Sequence, residues 1–193
     1  MTTPIRDLPN RYGAVAMTLH WLIAAAIIVN LVIILLADDV SRPEKIQILW
    51  WHKSIGLSVL LLSIVRVVWR WLNPVPPPPP GLPAYQRIAG TALHHLFYFL
   101  ILAIPLAGWL MVSTNAQPIP YFGLFNWPAF PGLSGMAHEN AHAYHEAFET
   151  VHVVLGWSLV GLIPLHIAAG LYHHFALKDN VLLRMLPGTK LRP

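Results

Sequence analysis

Four long apolar runs limit what this chain can fold into. They cover about Ala14 to Ala37, Ile46 to Leu72, Ala89 to Val112 and Val151 to Leu177. A helix that crosses a bilayer needs about 20 consecutive, mostly apolar residues. Inside lipid each run must be helical, because a helix satisfies its own backbone hydrogen bonds where no water can. Only 10% of the 193 residues are charged, against about 25% in a soluble domain. The expected fold is therefore all-α: an integral membrane four-helix bundle, with residues 1–193 as one domain. Met1 to Tyr12 lacks a cleavable signal pattern, and the first run is too long for a signal-peptide core, so it is read as a retained helix.

The placement of Lys and Arg orients the bundle. Arg6 and Arg11 precede the first run, Arg66, Arg70 and Arg87 bound the second connection, and Lys178, Arg184, Lys190 and Arg192 follow the fourth run. The third connection, Ser113 to Thr150, has neither residue. The positive-inside rule then puts both termini and the second connection in the cytoplasm. The formal charge of +4 sits beside apolar runs and forms no solvated stripe, so the partner expected is a lipid bilayer and not nucleic acid. Pro76 to Pro80 reads as a stiff polyproline spacer. In the third connection Phe122, Phe125, Trp127 and Phe130 suit a membrane interface. Pro105 and Pro164 are expected to bend the third and fourth helices.

Eleven histidines in so apolar a chain carry the chemistry, since ionisable residues at membrane depth are functional candidates. His20 opens the first helix on the cytoplasmic side, and His52 opens the second on the outer side. His152 and His166 lie fourteen residues apart on the fourth helix, close to four turns, so they share a face about 21 Å apart. Depth then pairs His20 with His166 and His52 with His152. Two level imidazole couples suit two six-coordinate hemes, because neutral imidazole is a standard axial ligand. With no cysteine in the chain, thiolate ligands, iron–sulfur clusters and covalent heme attachment are excluded. A single metal site would gather its ligands at one point, which these pairs do not do. Ala24, Gly56, Gly156 and Gly170 each follow a candidate ligand by four residues; they leave room for a flat macrocycle, or simply for close helix packing.

Other residues have two readings each. Arg66, fourteen residues after His52, could pair a heme propionate on the cytoplasmic side, and Lys53 could do so on the outer side; the alternative for Arg66 is a snorkelling anchor. His94 and His95 open the third helix, where His94 is a candidate for the heme vicinity; the alternative is an interfacial histidine with no cofactor contact. His173, seven residues past His166, could hydrogen-bond a quinone carbonyl or, like His174, cap the helix. His138, His142 and His145, with Glu139, Glu146 and Glu149, have helical spacing; they read as a hydrated amphipathic segment before a metal site. His145 lies seven residues before His152 and is the main rival for the outer ligand.

Several segments together resemble the bacterial di-heme cytochrome b561 family. They are LHW at Leu19 to Trp21, HKSIG at His52 to Gly56 followed by VRVVWR, the His pair fourteen apart, and HHFALKDNVLLRMLPG near the end. The resemblance runs from Arg11-Tyr12-Gly13 to Pro187. It implies one di-heme cytochrome b domain in the bacterial inner membrane, with two heme b held by His20, His52, His152 and His166. It also implies electron exchange with membrane ubiquinone, His173 as a quinone contact and, as in some members, superoxide as an outer donor, which would make the chain a superoxide:ubiquinone oxidoreductase. The long third connection with its extra histidines departs from shorter members and leaves the outer partner open, superoxide or a redox protein. Two other readings stand beside this one: a heme-bearing anchor subunit for a separate dehydrogenase, and a histidine-lined metal or proton transporter without heme.

Overall fold

The computed structural model describes residues 4–79, 81–133 and 136–192, without the side chains of His138 and Glu139. It contains helices α1 (Ala14–Leu35), α2 (Arg42–Leu72), α3 (Ala84–Ser113) and α4 (His138–Tyr172). All four are long and apolar enough to cross a membrane. Three of them start earlier than hydropathy marks. Helix α2 starts at Arg42 because Ser41 and Glu44 form a capping box, with Pro43 in the first turn. Helix α3 starts directly after Pro83; proline is costly in a helix interior, where it removes a backbone donor, but suits the position before a helix. Helix α4 takes in His142 and His145, so much of the predicted amphipathic segment is its first three turns. Both internal prolines, Pro105 and Pro164, lie within continuous helices.

Consecutive helices pack closely: α1 on α2, α2 on α3 and α3 on α4. One core lies between α1 and α2, where Leu19 and Ile23 meet Val59. Elsewhere the helices turn apolar side chains outward: Val29, Val65 and Trp157 are at least half exposed. Such a surface is an aggregation hazard in water and the natural solvent contact in lipid.

The two ends of the bundle are closed differently. At one end the chain termini meet: Arg11 donates to the carbonyls of Leu186 and Thr189, both at 2.6 Å, and Trp21 Nε1 donates to the Met185 carbonyl at 2.7 Å. Arg184 donates from there to the Pro77 carbonyl in the polyproline spacer at 2.6 Å. Both termini and the second connection thus share one end. Gly13 lets the amino-terminal segment fold back on α1: a Cβ there would lie 2.5 Å from the Ile5 carbonyl oxygen and the Arg6 carbonyl carbon. Asp7 accepts the Gly13 N–H at 2.6 Å. Gly13→Ala should therefore cost about 1–3 kcal/mol of overpacking strain, read as a lower melting temperature in detergent; an unchanged melting temperature would show that this close approach is dispensable.

The opposite end carries a feature absent from the sequence reading, a β-hairpin. Strands β1 (Ile119–Tyr121) and β2 (Phe125–Trp127) pair antiparallel, with Tyr121 opposite Phe125. Its turn holds Phe122 and Gly123 at positive φ. The hairpin is pinned to α2: Ser54 Oγ donates to the Pro120 carbonyl at 3.2 Å and accepts the Phe122 N–H at 3.1 Å, and the Ser58 and Tyr121 hydroxyls are 2.9 Å apart.

Candidate functional site

Two histidine clusters lie at different levels of the bundle, and each joins helices that are not consecutive. At the hairpin end the rings of His52 on α2 and His152 on α4 have centroids 5.9 Å apart. At the terminal end the rings of His20 on α1 and His166 on α4 are 6.3 Å apart. His94 on α3 joins the second cluster, 5.8 Å from His166, and Phe97 packs on the same ring at 5.1 Å. A metal–imidazole bond is about 2 Å long, and the ring centre lies about 1 Å behind the nitrogen, so two imidazoles bound trans to one metal have centres about 6 Å apart. Both clusters have that spacing. At the terminal end spacing alone admits either His20 or His94 as the partner of His166.

The hairpin-end couple borders a cavity of about 550 Å³, within the range of about 300–1,000 Å³ usual for small-molecule and cofactor sites. Gly56 and Gly156 line it together with Val59, Leu100 and Asn30. The His152 ring is tightly held. Its Nδ1 lies 2.8 Å from the Ile104 carbonyl. A carbonyl only accepts, so Nδ1 carries the proton and Nε2 keeps a free lone pair, the tautomer a metal-binding imidazole needs. The ring lies flat against α3 because Gly108 has no side chain: a Cβ there would lie 3.0 Å from His152 Cε1 and Nδ1.

The model for prokaryotic cytochrome b561 matches residues 11–188. The chain belongs to that family. It is 33% identical to cytochrome b561 homolog 2 of Escherichia coli K12, over 93% of each chain. It is 27% identical to a probable superoxide oxidase CybB of Yersinia pestis, over 92% of this chain and 97% of that one. It is also 27% identical to a cytochrome b562 of Cereibacter sphaeroides, over 91% and 94%. The chain is therefore a multi-pass bacterial membrane cytochrome that binds b-type heme and carries electrons across the membrane. The residues present fit such a group: imidazole donors in facing couples at bis-imidazole spacing, one of them fixed as the right tautomer, beside an apolar cavity floored by glycine.

The remaining candidates of this cytochrome fall around the clusters in different ways. Arg66 Nη1 donates to the Ala16 carbonyl, one turn before His20, at 2.9 Å, and its guanidinium lies 5.8 Å from the Tyr98 ring centre. It therefore sits at the level of the terminal-end cluster. Lys53 lines a smaller space of about 230 Å³ with His52, His152 and Glu149. His145 is engaged elsewhere: its Nδ1 lies 3.0 Å from the Met111 carbonyl and 3.1 Å from Thr114 Oγ1, which ties α4 to the end of α3. His142 lies 3.6 Å from Glu146, exposed, and no group of three metal-binding side chains occurs among the described residues. His95 Nδ1 turns back to the Thr91 carbonyl at 2.8 Å.

His173 opens a short π-helical turn, His173–Leu177, which ends at Lys178 with φ 55°. Its Nδ1 is 2.6 Å from Asp179 Oδ2, with both side chains mostly shielded. The other oxygen of Asp179 accepts the Val181 N–H at 2.9 Å. Arg192 closes the same corner by donating to the His174 carbonyl at 3.0 Å. The sequence reading singled out neither Asp179, Gly108 nor Asn30. An Asp six residues past a terminal histidine was a usable signal for the first. Gly108 had none, because its constraint is the ring of another helix.

Proposed function

We propose that this cytochrome holds two b hemes in series and passes electrons from superoxide on the outer side of the bacterial inner membrane to ubiquinone. On this reading the hairpin end faces outward and both termini lie in the cytoplasm, as the Lys and Arg distribution suggests. The supporting observation is the pair of histidine couples on one helix face, His52 with His152 and His20 with His166, set fourteen residues apart along α4. The iron of each heme would supply one-electron redox chemistry; the protein supplies ligands, spacing and charge. The Ile104 carbonyl holds the His152 proton on Nδ1 and leaves Nε2 as the ligand atom. Arg66 is the candidate partner for inner propionates and Lys53 for outer ones. With Nδ1–H donated to Asp179, Nε2 of His173 can accept from a quinol hydroxyl, and it can bond a quinone carbonyl only when it too carries a proton. The overall reaction balances as two superoxide plus quinone and two protons giving two dioxygen and quinol.

Charge steering toward a small anion must come from cations near the outer centre. Lys45 contributes little. It lies 2.6 Å from Asp38, and its hydrogen bond and charge hold that carboxyl below the usual carboxylate range, so the pair stays neutral overall at physiological pH. Arg42 and Lys53 remain, offset by Asp39 and Glu44 nearby in the chain. Purified oxidised protein mixed with a pulse of superoxide should show heme reduction far faster than a heat-denatured control, and added ubiquinone should speed reoxidation. Reduction no faster than the control removes superoxide as donor; reoxidation indifferent to quinone removes the acceptor.

A further inference from the structure

The two histidines at the hairpin end are unequally supported. His152 has a carbonyl on its Nδ1. The Nδ1 of His52 is buried and makes no full hydrogen bond, although the Asn30 main chain lies within reach of the ring. If His52 binds iron through Nε2, its proton must sit on Nδ1, and ligating imidazoles almost always donate that N–H to an oxygen, which fixes the ring and raises its basicity. A second buried atom close by lacks a partner for the opposite reason: Asn30 Oδ1, an acceptor with nothing to accept.

Asn30 stands alone in its setting. It is the one polar residue between His20 and Ala37 apart from Trp21, in the run AAAIIVNLVIILLA. An unpaired amide in an apolar span is costly, and such residues mark functional positions. Asn30 lines the same cavity as His52 and His152, from the α1 side. Its Nδ2 lies 3.8 Å from where a Cβ on Gly56 would be, so the amide rests against the turn of α2 that begins at His52. The terminal torsion of Asn is broad and roughly two-fold, so a turn about it exchanges the two ends of the amide at little cost.

We infer that Asn30 is a positioning residue for the outer heme, its side-chain oxygen accepting the Nδ1 proton of His52 and thereby lowering the reduction potential of that heme. This rests on the proposed ligand set. A hydrogen bond from Nδ1–H makes the imidazole a stronger donor, which favours ferric over ferrous iron; second-shell hydrogen bonding is one of the levers a protein has on heme potential.

The test is a redox titration of holoprotein carrying Asn30→Leu, which keeps the branched shape and removes the acceptor, with Asn30→Ala as a second variant that cannot crowd the cavity. At a fixed ambient potential the ferrous-to-ferric ratio of the outer heme should rise about tenfold, a shift of about 59 mV for one electron, and the low-spin EPR signal of that heme should move. The inner heme is the internal control and should not change. Outer-heme potentials within twofold of the parent ratio in both variants would overturn the inference, and so would equal shifts of both hemes. Loss of the outer heme from both variants would also overturn it, because removing an acceptor retunes a ligand without removing it. The ligand reading fails by a separate observation, a full complement of heme in His52→Ala.

Discussion

On the proposed di-heme assignment, purified His152→Ala should carry one of two hemes per chain, and His166→Ala should lose the other one. The rings of each couple lie at bis-imidazole spacing, 5.9 Å and 6.3 Å between centroids, so on this assignment removing either member would delete one of two axial bonds. Among the described residues no other histidine stands ready to take the vacated place at the hairpin end: His145, the nearest rival in sequence, is tied to Met111 on α3 and to Thr114 just past its end. Heme quantitation by pyridine hemochrome should therefore fall by about half in His52→Ala and His152→Ala, with the same heme missing from both. At the terminal end the outcome is more informative. His94 stands 5.8 Å from His166, as close as His20. The proposed assignment expects His20→Ala and His166→Ala to lose the same heme while His94→Ala keeps both. A full complement in His20→Ala with a missing heme in His94→Ala would hand the axial position to α3, and a full complement in His166→Ala would end the di-heme reading of α4.

The parts of this fold that the sequence disclosed are those governed by periodicity along one helix. Depth from hydropathy and fourteen-residue spacing on α4 match His20 with His166 and His52 with His152; the structure sets those rings 6.3 Å and 5.9 Å apart, with His94 as close to His166 as His20 is. Arg66 was likewise placed at the His20 level from its spacing to His52, and it bonds to the Ala16 carbonyl one turn away. What escaped is governed by contacts between elements. Hydropathy measures the lipid-facing length of a helix, not its end, so α4 runs on to His138 through residues too polar to score as a span. The hairpin escaped because its strands are three residues each and its register is set by Ser54 and Ser58 on α2. The glycines were read from the wrong reference: Gly56 and Gly156 do line the cavity, yet the glycine in tightest contact with a histidine is Gly108, on a helix with no candidate ligand at that level.

Gly108 is where that lesson becomes a measurable effect, because two consequences of one substitution have opposite signs. Replacing a mid-helix glycine with alanine normally stabilises a helix by about 0.8–1 kcal/mol, so Gly108→Ala should not unfold α3 and should leave the melting temperature of the heme-free protein unchanged or slightly raised. The added Cβ would lie 3.0 Å from His152 Cε1 and Nδ1. The ring cannot give way freely, since its Nδ1 is bonded to the Ile104 carbonyl one turn earlier on the same helix. Moving the ring forfeits that bond, about 0.5–1.5 kcal/mol, and keeping the ring in place costs overpacking strain of about 1–3 kcal/mol. In the heme-free protein the ring is held from Nδ1 alone and the helix gain offsets the bond it gives up; an iron bond at Nε2 would hold the ring from its other side as well, so the larger cost falls on the holoprotein, and a differential loss of about 1.4 kcal/mol is tenfold in affinity. Titrating heme into heme-free Gly108→Ala should show one site weakened about tenfold or more and the other, at His20 and His166, as in the parent. Gly108→Val adds bulk at the same point and should empty the weakened site. Two sites of parental affinity in the alanine variant would mean that His152 does not need its place against α3, and the ring held by Ile104 would then not be the ring that holds the iron.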